Sequence, residues 1–209
     1  MYKTGLWIRD STAGIGTVTF YDASDGYFAG LGHGICDADT GTLMPLLSGV
    51  VVDVNLTDIV RGKAGSPGEL KGSFSAEADG FLCGNTDCGV SGYLYRVPKN
   101  DAPMAVASRK EIREGEAEIL SDIAGDGVQR YSVRISNIDR DATGTKCFCI
   151  DVTDERLLSL SGGIIQGMSG SPVLQDGKIV GAVTHVLIGD PTKGYGIFAE
   201  NMLSFEKAA

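Results

Sequence analysis

No run of about 18 apolar residues occurs anywhere in this chain, which excludes a transmembrane helix. The opening stretch "MYKTGLWIRD" also lacks the apolar segment of a signal peptide, so the residues imply either a cytosolic protein or one whose export segment has been cut away. Positive charge is short as well. Lys and Arg number 18 against 27 Asp and Glu, for a formal net charge of −9 and a pI near 4.7. That balance argues against nucleic acid or an anionic membrane as the main partner, because phosphate binding needs a basic face, and it leaves protein or peptide ligands open. The five cysteines are an odd number and form no C-x-x-C knuckle. Cys83 and Cys88 in "CGNTDCG", and Cys147 and Cys149 in "CFC", are expected to be buried or incidental thiols, with one disulfide or a metal site as the alternatives. Nothing in the chain calls for a cofactor.

What is abundant is glycine, with 30 residues. It punctuates short apolar runs rich in β-branched and aromatic side chains: "GLWIRD", "GTVTFYD", "GVVVDVNL", "GYLYRV", "EAEIL", "RYSVRISNI", "KCFCIDV", "SPVLQ", "KIVGAVTHVL" and "YGIFAE". Many strands without intervening amphipathic helices predict an all-β barrel or sandwich and not βαβ units. Two short helices fit the pattern, "TDERLLSL" over 153–160, with Thr153 or Asp154 as cap, and the C-terminal "ENMLSFEKAA". The segment over 61–74, "RGKAGSPGELKGSF", reads as a long exposed loop, and the polar stretch over 96–116 as a linker between two halves, about 1–100 and 110–209.

The chemistry concentrates in "GGIIQGMSGSPVLQDGKIVGAVTH", where two serines stand one residue apart. A serine nucleophile needs a tight turn that exposes its oxygen and aims backbone N–H groups at a developing oxyanion. The G-x-S-x-G elbow fails, because Ser171 falls where its last glycine belongs. "GMSGSP" instead has the shape of the trypsin-like G-x-S-G-G-P loop, with Ser171 in the place of the second glycine. That register makes Ser169 the nucleophile and gives the oxyanion donors to the N–H groups of Gly167 and Ser169.

A base must come from one of the two histidines. His33 sits in "FAGLGHGICDADT", crowded by small residues, as a base facing a nucleophile across a cleft requires. His185 lies in the apolar run "VGAVTHVLIG", where a core or pocket-wall role is more natural; together with Thr184, which points to the opposite face of the strand, it is the candidate substrate-pocket position.

"WIRDSTAGIGTVTFYD", "FAGLGHGI", "AGSPGELKGSF", "GGIIQGMSGSPVLQDGKIVGAVTHV" and "DPTKGYGIFAENML" together resemble the SpoIVB peptidase family of spore-forming bacteria, over about residues 5 to 203. The resemblance implies a trypsin-like double β-barrel with the chain order His, Asp, Ser: His33 as general base, Ser169 as nucleophile and Asp154, in "VTDERL", as the third member. As a helix cap, Asp154 has a structural reading too, and Asp37, Asp39, Asp53 and Asp58 are rival partners for the imidazole. The resemblance further implies a serine endopeptidase of sporulation signalling, from forespore to mother cell. It would act in the space between their membranes on a membrane-associated regulatory protein, and could cleave itself. The family's anchoring segment and PDZ domain are not matched, so the chain reads as a protease domain alone. A peptide-binding module that has kept the fold without turnover is the competing reading.

Overall fold

The computed structural model describes residues 12–98 and 102–203. The chain first lays down β1 (Val18–Tyr21), β2 (Tyr27–Gly30), β3 (Val50–Val60), β4 (Glu69–Thr86) and β5 (Gly89–Leu94). These pair antiparallel into a five-stranded sheet of order β1-β2-β5-β4-β3. The later strands are β6 (Gly115–Ser121), β7 (Gln129–Ser136), β8 (Phe148–Val152), β9 (Pro172–Gln175), β10 (Lys178–Val186) and β11 (Lys193–Phe198), with helices α1 (Glu155–Ser161) and α2 (Ala199–Leu203). They close a barrel in the order β10-β11-β8-β7-β6-β9. The expected β-dominated architecture with short helices is present: the later half closes into a barrel, and the earlier sheet is open, with β1 and β3 at its edges.

Alternation explains the barrel. β7 buries Tyr131, Val133 and Ile135 and turns Arg130, Ser132 and Arg134 outward, so one face of each strand enters the core. Ile119, Ile150, Val173, Val183 and Ile197 meet them there, and Phe148 packs on Phe198 with ring centres 5.6 Å apart.

The open sheet follows a different logic. β3 and β4 form a long ribbon that is largely exposed on both faces, and this overturns the reading of 61–74 as one loop, since β4 begins at Glu69. Glycine belongs in that strand because of close approach: a Cβ on Gly72 would lie 2.7 Å from the Asn55 carbonyl oxygen. β2, in "YFAG", was also not anticipated; all four of its residues are buried.

The segment between β5 and β6 is not a free linker in its described part. Val106 bridges to Ile179 in parallel, Ala107 N–H donates to the Ile179 carbonyl at 2.9 Å, and Ile112 is buried. Arg109 then ties it to α2 through Glu200 and Asn201, each at 2.7 Å. Cys147 lies just outside β8 and is buried, and all five thiols are free. The run "GLWIRD" and the end of "ENMLSFEKAA" lie outside the described residues.

Candidate active site

The serine loop connects α1 to β9 by two successive turns, Met168 N–H to Ile165 carbonyl at 3.1 Å and Ser171 N–H to Met168 carbonyl at 3.0 Å. Its glycines are required where they stand. Gly170 has φ +89°, and a Cβ there would lie 2.1 Å from the Thr17 carbonyl oxygen. Gly167 has φ +100° and packs on Leu70. The start of β4 holds this part of the loop, with Leu70 N–H donating to the Gln166 carbonyl at 2.9 Å and Gln166 N–H to the Gly68 carbonyl at 2.8 Å.

The two serines part company in this loop. Ser171 is fully buried and its hydroxyl meets that of Ser121 at 3.2 Å. Ser169 is half-buried and its hydroxyl donates to the Thr184 carbonyl at 3.0 Å. The N–H groups of Gly167 and Ser169 make no hydrogen bond among the described residues, unlike those of Met168, Gly170 and Ser171. Two unspent backbone donors thus flank the more exposed hydroxyl.

Thr17 joins this loop to the histidine loop: its N–H donates to the Ser169 carbonyl at 2.8 Å, and its carbonyl accepts from Leu31 N–H at 3.1 Å. Leu31 has φ 65°, an uncommon conformation for a γ-branched side chain, and Gly32 follows at φ 69°. This consecutive left-handed pair drives the chain down onto the barrel, where a Cβ on Gly32 would come within 2.9 Å of the methyl groups of Ile197 and Thr184. His33 emerges there with its ring centre 5.2 Å from that of His185. Its Nδ1 lies 3.0 Å from the Gly34 carbonyl oxygen. A carbonyl only accepts, so in the neutral ring Nδ1 carries the hydrogen and Nε2 keeps its lone pair, the tautomer a base needs.

β10 contributes the third side of the site through a bulge. Its register against β11 shifts between Val183 and His185, leaving Thr184 as the extra residue. The bulge buries the Thr184 side chain and turns His185 outward. The Thr184 hydroxyl lies 2.7 Å from the Thr145 carbonyl and 3.1 Å from that of Tyr195, so it is occupied inside the barrel and does not line open surface as a pocket position would. His185 keeps an exposed edge, yet burial of the rest of its ring, then the neighbouring His33 and Lys146, lower its pKa from 6.5 to about 4. Lys146 itself lies over the Tyr195 ring at 5.0 Å.

Asp154 is placed elsewhere in the network. It caps α1, accepting from Arg156 N–H at 2.9 Å and Leu157 N–H at 3.3 Å, and it also accepts from Ser132 N–H at 3.2 Å and from the Arg156 guanidinium. The Arg156 bond leads in holding its carboxyl down at about 2, against the opposing effect of burial. Among the described residues no carboxylate, whether Asp154, Asp37, Asp39, Asp53 or Asp58, hydrogen-bonds the His33 ring.

The structure thus ties the serine loop to the histidine loop through Thr17, sets His33 beside His185, and leaves Asp154 at the helix cap. Sequence reasoning missed Thr17 and the Thr184 carbonyl because both act through backbone atoms, which side-chain identity does not report; the neighbouring Lys146 gave no motif signal.

The sequence pattern of the family described as SpoIVB peptidase S55 matches residues 1–203. A comparison with curated proteins finds no match. Among solved structures, the chain is similar to the active form of the Rv3671c protease from M. tuberculosis, at 18% identity and a TM-score of 0.45 over 68% of this chain and 63% of that one. The inactive form of that protease aligns at 14% identity and a TM-score of 0.43, over 72% and 88% of the two chains. The chain spans less than two thirds of the length of the active-form structure.

Proposed function

The chain belongs to the SpoIVB peptidase S55 family and is by family a serine peptidase, and from that premise we propose that it is an endopeptidase in which Ser169 is the nucleophile and His33 the general base. The observation that carries this reading is the Thr17 bridge, which fastens the histidine loop and the serine loop, remote in sequence, to one strand of backbone. In the proposed reaction the Ser169 hydroxyl leaves the Thr184 carbonyl and donates to His33 Nε2. Its oxygen attacks the scissile carbonyl as the proton passes to the imidazole. The N–H groups of Gly167 and Ser169 receive the oxyanion, and His33 returns the proton to the departing amine. Water, deprotonated by the same ring, then releases the acyl group.

Asp154 is the orienting carboxylate that the family resemblance suggests. Its bonds favour a less direct role, in which it fixes α1 and thereby the segment that carries the serine loop. His185, with its exposed edge beside this centre, is the proposed wall of the substrate pocket. The family supports a protein substrate, and we extend this to cleavage of a membrane-associated regulatory protein in sporulation signalling, between forespore and mother-cell membranes, including self-cleavage. No described helix is long and apolar enough to cross a membrane.

One observation favours the second reading, a peptide-binding module with little turnover: the Ser169 hydroxyl is engaged by Thr184, and among the described residues no carboxylate hydrogen-bonds the His33 ring. Labelling with a fluorophosphonate probe followed by peptide mapping separates the two. An adduct on Ser169 supports the peptidase, and a protein inert to the probe supports the binding module.

A further inference from the structure

The chain has only two histidines, and the fold sets their rings against each other although positions 33 and 185 are 152 apart in the sequence. The ring centres are 5.2 Å apart and the planes are inclined at 43°. Imidazole nitrogens bind zinc at about 2.0–2.1 Å, which puts each ring centre roughly 3.2 Å from the metal, and a tetrahedral angle then separates two ring centres by about 5 Å. The pair already stands at the spacing a shared ion imposes.

We propose that His33 and His185 form a chelating site for a divalent transition-metal ion of the zinc class, and that its occupation silences the proposed peptidase by occupying its base. The regulatory half of this inference rests on the assignment of His33 as base; the binding half stands without it.

The local chemistry supports ligation. The Gly34 carbonyl holds Nδ1–H of His33 and leaves Nε2 as the donor, the backbone-carbonyl support that metal-bound histidines commonly have. The His185 ring makes no hydrogen bond among the described residues, so a metal displaces no protein partner from it. Its exposed edge gives an ion and its waters access. No group of three or more His, Cys, Asp or Glu is placed to hold a metal among the described residues, so water completes the coordination and the site is reversible. Imidazole ligands select zinc, copper or nickel, while magnesium and calcium prefer oxygen. Lys146 is the opposing charge, with its ammonium over Tyr195, the ladder partner of His185.

Binding consumes the lone pair that would take the Ser169 proton. No covalent bond breaks, and removal of the ion restores the base.

The test uses the full chain, stripped with EDTA and titrated with zinc chloride. In a histidine-selective nitrogen NMR spectrum only two rings report, and zinc is expected to shift both; a spectrum in which one ring or neither moves overturns the site. Calorimetric zinc affinity is expected to fall at least about tenfold in both His33→Gln and His185→Gln, and to be indifferent to added magnesium. Zinc that binds equally to both variants is held by thiols and refutes the proposal. Fluorophosphonate labelling of the wild-type chain should slow at least about tenfold in saturating zinc and recover with EDTA. Labelling unchanged by bound zinc overturns the regulatory half. A chain that never labels, even in EDTA, defeats the peptidase reading instead and leaves the titration to judge the metal site.

Discussion

The hydroxyl of Ser169 donates to the carbonyl of Thr184 at 3.0 Å, and that carbonyl is presented by the bulge that also turns His185 outward. One irregularity in β10 therefore sets both the resting partner of the proposed nucleophile and the histidine beside it. Ser171, by contrast, is sealed in the barrel against Ser121. A fluorophosphonate is accordingly expected to modify Ser169 and leave Ser171 untouched, as read by peptide mapping. Ser169→Ala should lower turnover by at least about 10³-fold, because nucleophile and base act as a unit. Ser171→Ala should keep the labelling and lose about 1 kcal/mol of stability with its hydrogen bond.

Asp154 decides between direct and indirect support of the site. If it works through α1, Asp154→Ala should cost about 1 kcal/mol, the usual value of an N-cap, and activity should fall only as far as the melting temperature does. Asp154→Asn, which still caps, should recover most of the stability. A variant with unchanged melting temperature and activity lowered by orders of magnitude would instead make Asp154 an orienting partner of His33. The acid limb of stability offers a second check. The folded carboxyl sits near 2 against 3.8 in its ordinary state, so its contribution is full above pH 3.8 and is lost as pH falls toward 2. In Asp154→Asn the melting temperature should be flatter across that window.

His185 acts in a separate window. Its pKa falls from 6.5 to about 4, so between those values the unfolded chain binds more protons than the folded one, and stability should decline as pH is lowered through the interval. His185→Gln removes the titration. Between pH 7 and pH 4 the melting temperature of wild type should fall relative to that of His185→Gln, and parallel curves would count against the lowered pKa.

Barrel and site were legible in the chain to different depths. The strands of the closed barrel carry alternation in plain view, as in "RYSVRISNI", because one face is core and the other water. β4 carries none: of "ELKGSFSAEADGFLCGNT" only Leu70 and Gly80 are buried, since its first half runs beside β3 alone in a ribbon wet on both faces and has no reason to alternate. The serine loop and His33 could be read because their small residues are demanded by backbone contacts. Asp154 could not be decided, because a cap and an orienting carboxylate ask for the same residue type, and only its bonds to Ser132 and Arg156 separate them. Thr184 was unreadable as a partner of Ser169, since any residue would supply the carbonyl.

Gly170 gives the sharpest test of how the two loops are coupled. A methyl group there would sit 2.1 Å from the Thr17 carbonyl oxygen and 2.6 Å from Leu31 N, the atoms that join the serine loop to the histidine loop, and the residue is already at φ +89°. Gly177, in the β9–β10 turn, is a matched control: it has φ +76°, but a Cβ on it would have nothing within 4 Å. Gly177→Ala should therefore show only the cost of a left-handed alanine, about 1–2 kcal/mol, with labelling of the folded protein intact. Gly170→Ala meets that same cost and must also separate Thr17 from Leu31, so its labelling should fall by more than its melting temperature accounts for. Both variants can be compared at a temperature where each is fully folded by circular dichroism. Equal labelling rates at that point would mean that the Thr17 bridge is not what aligns His33 with Ser169.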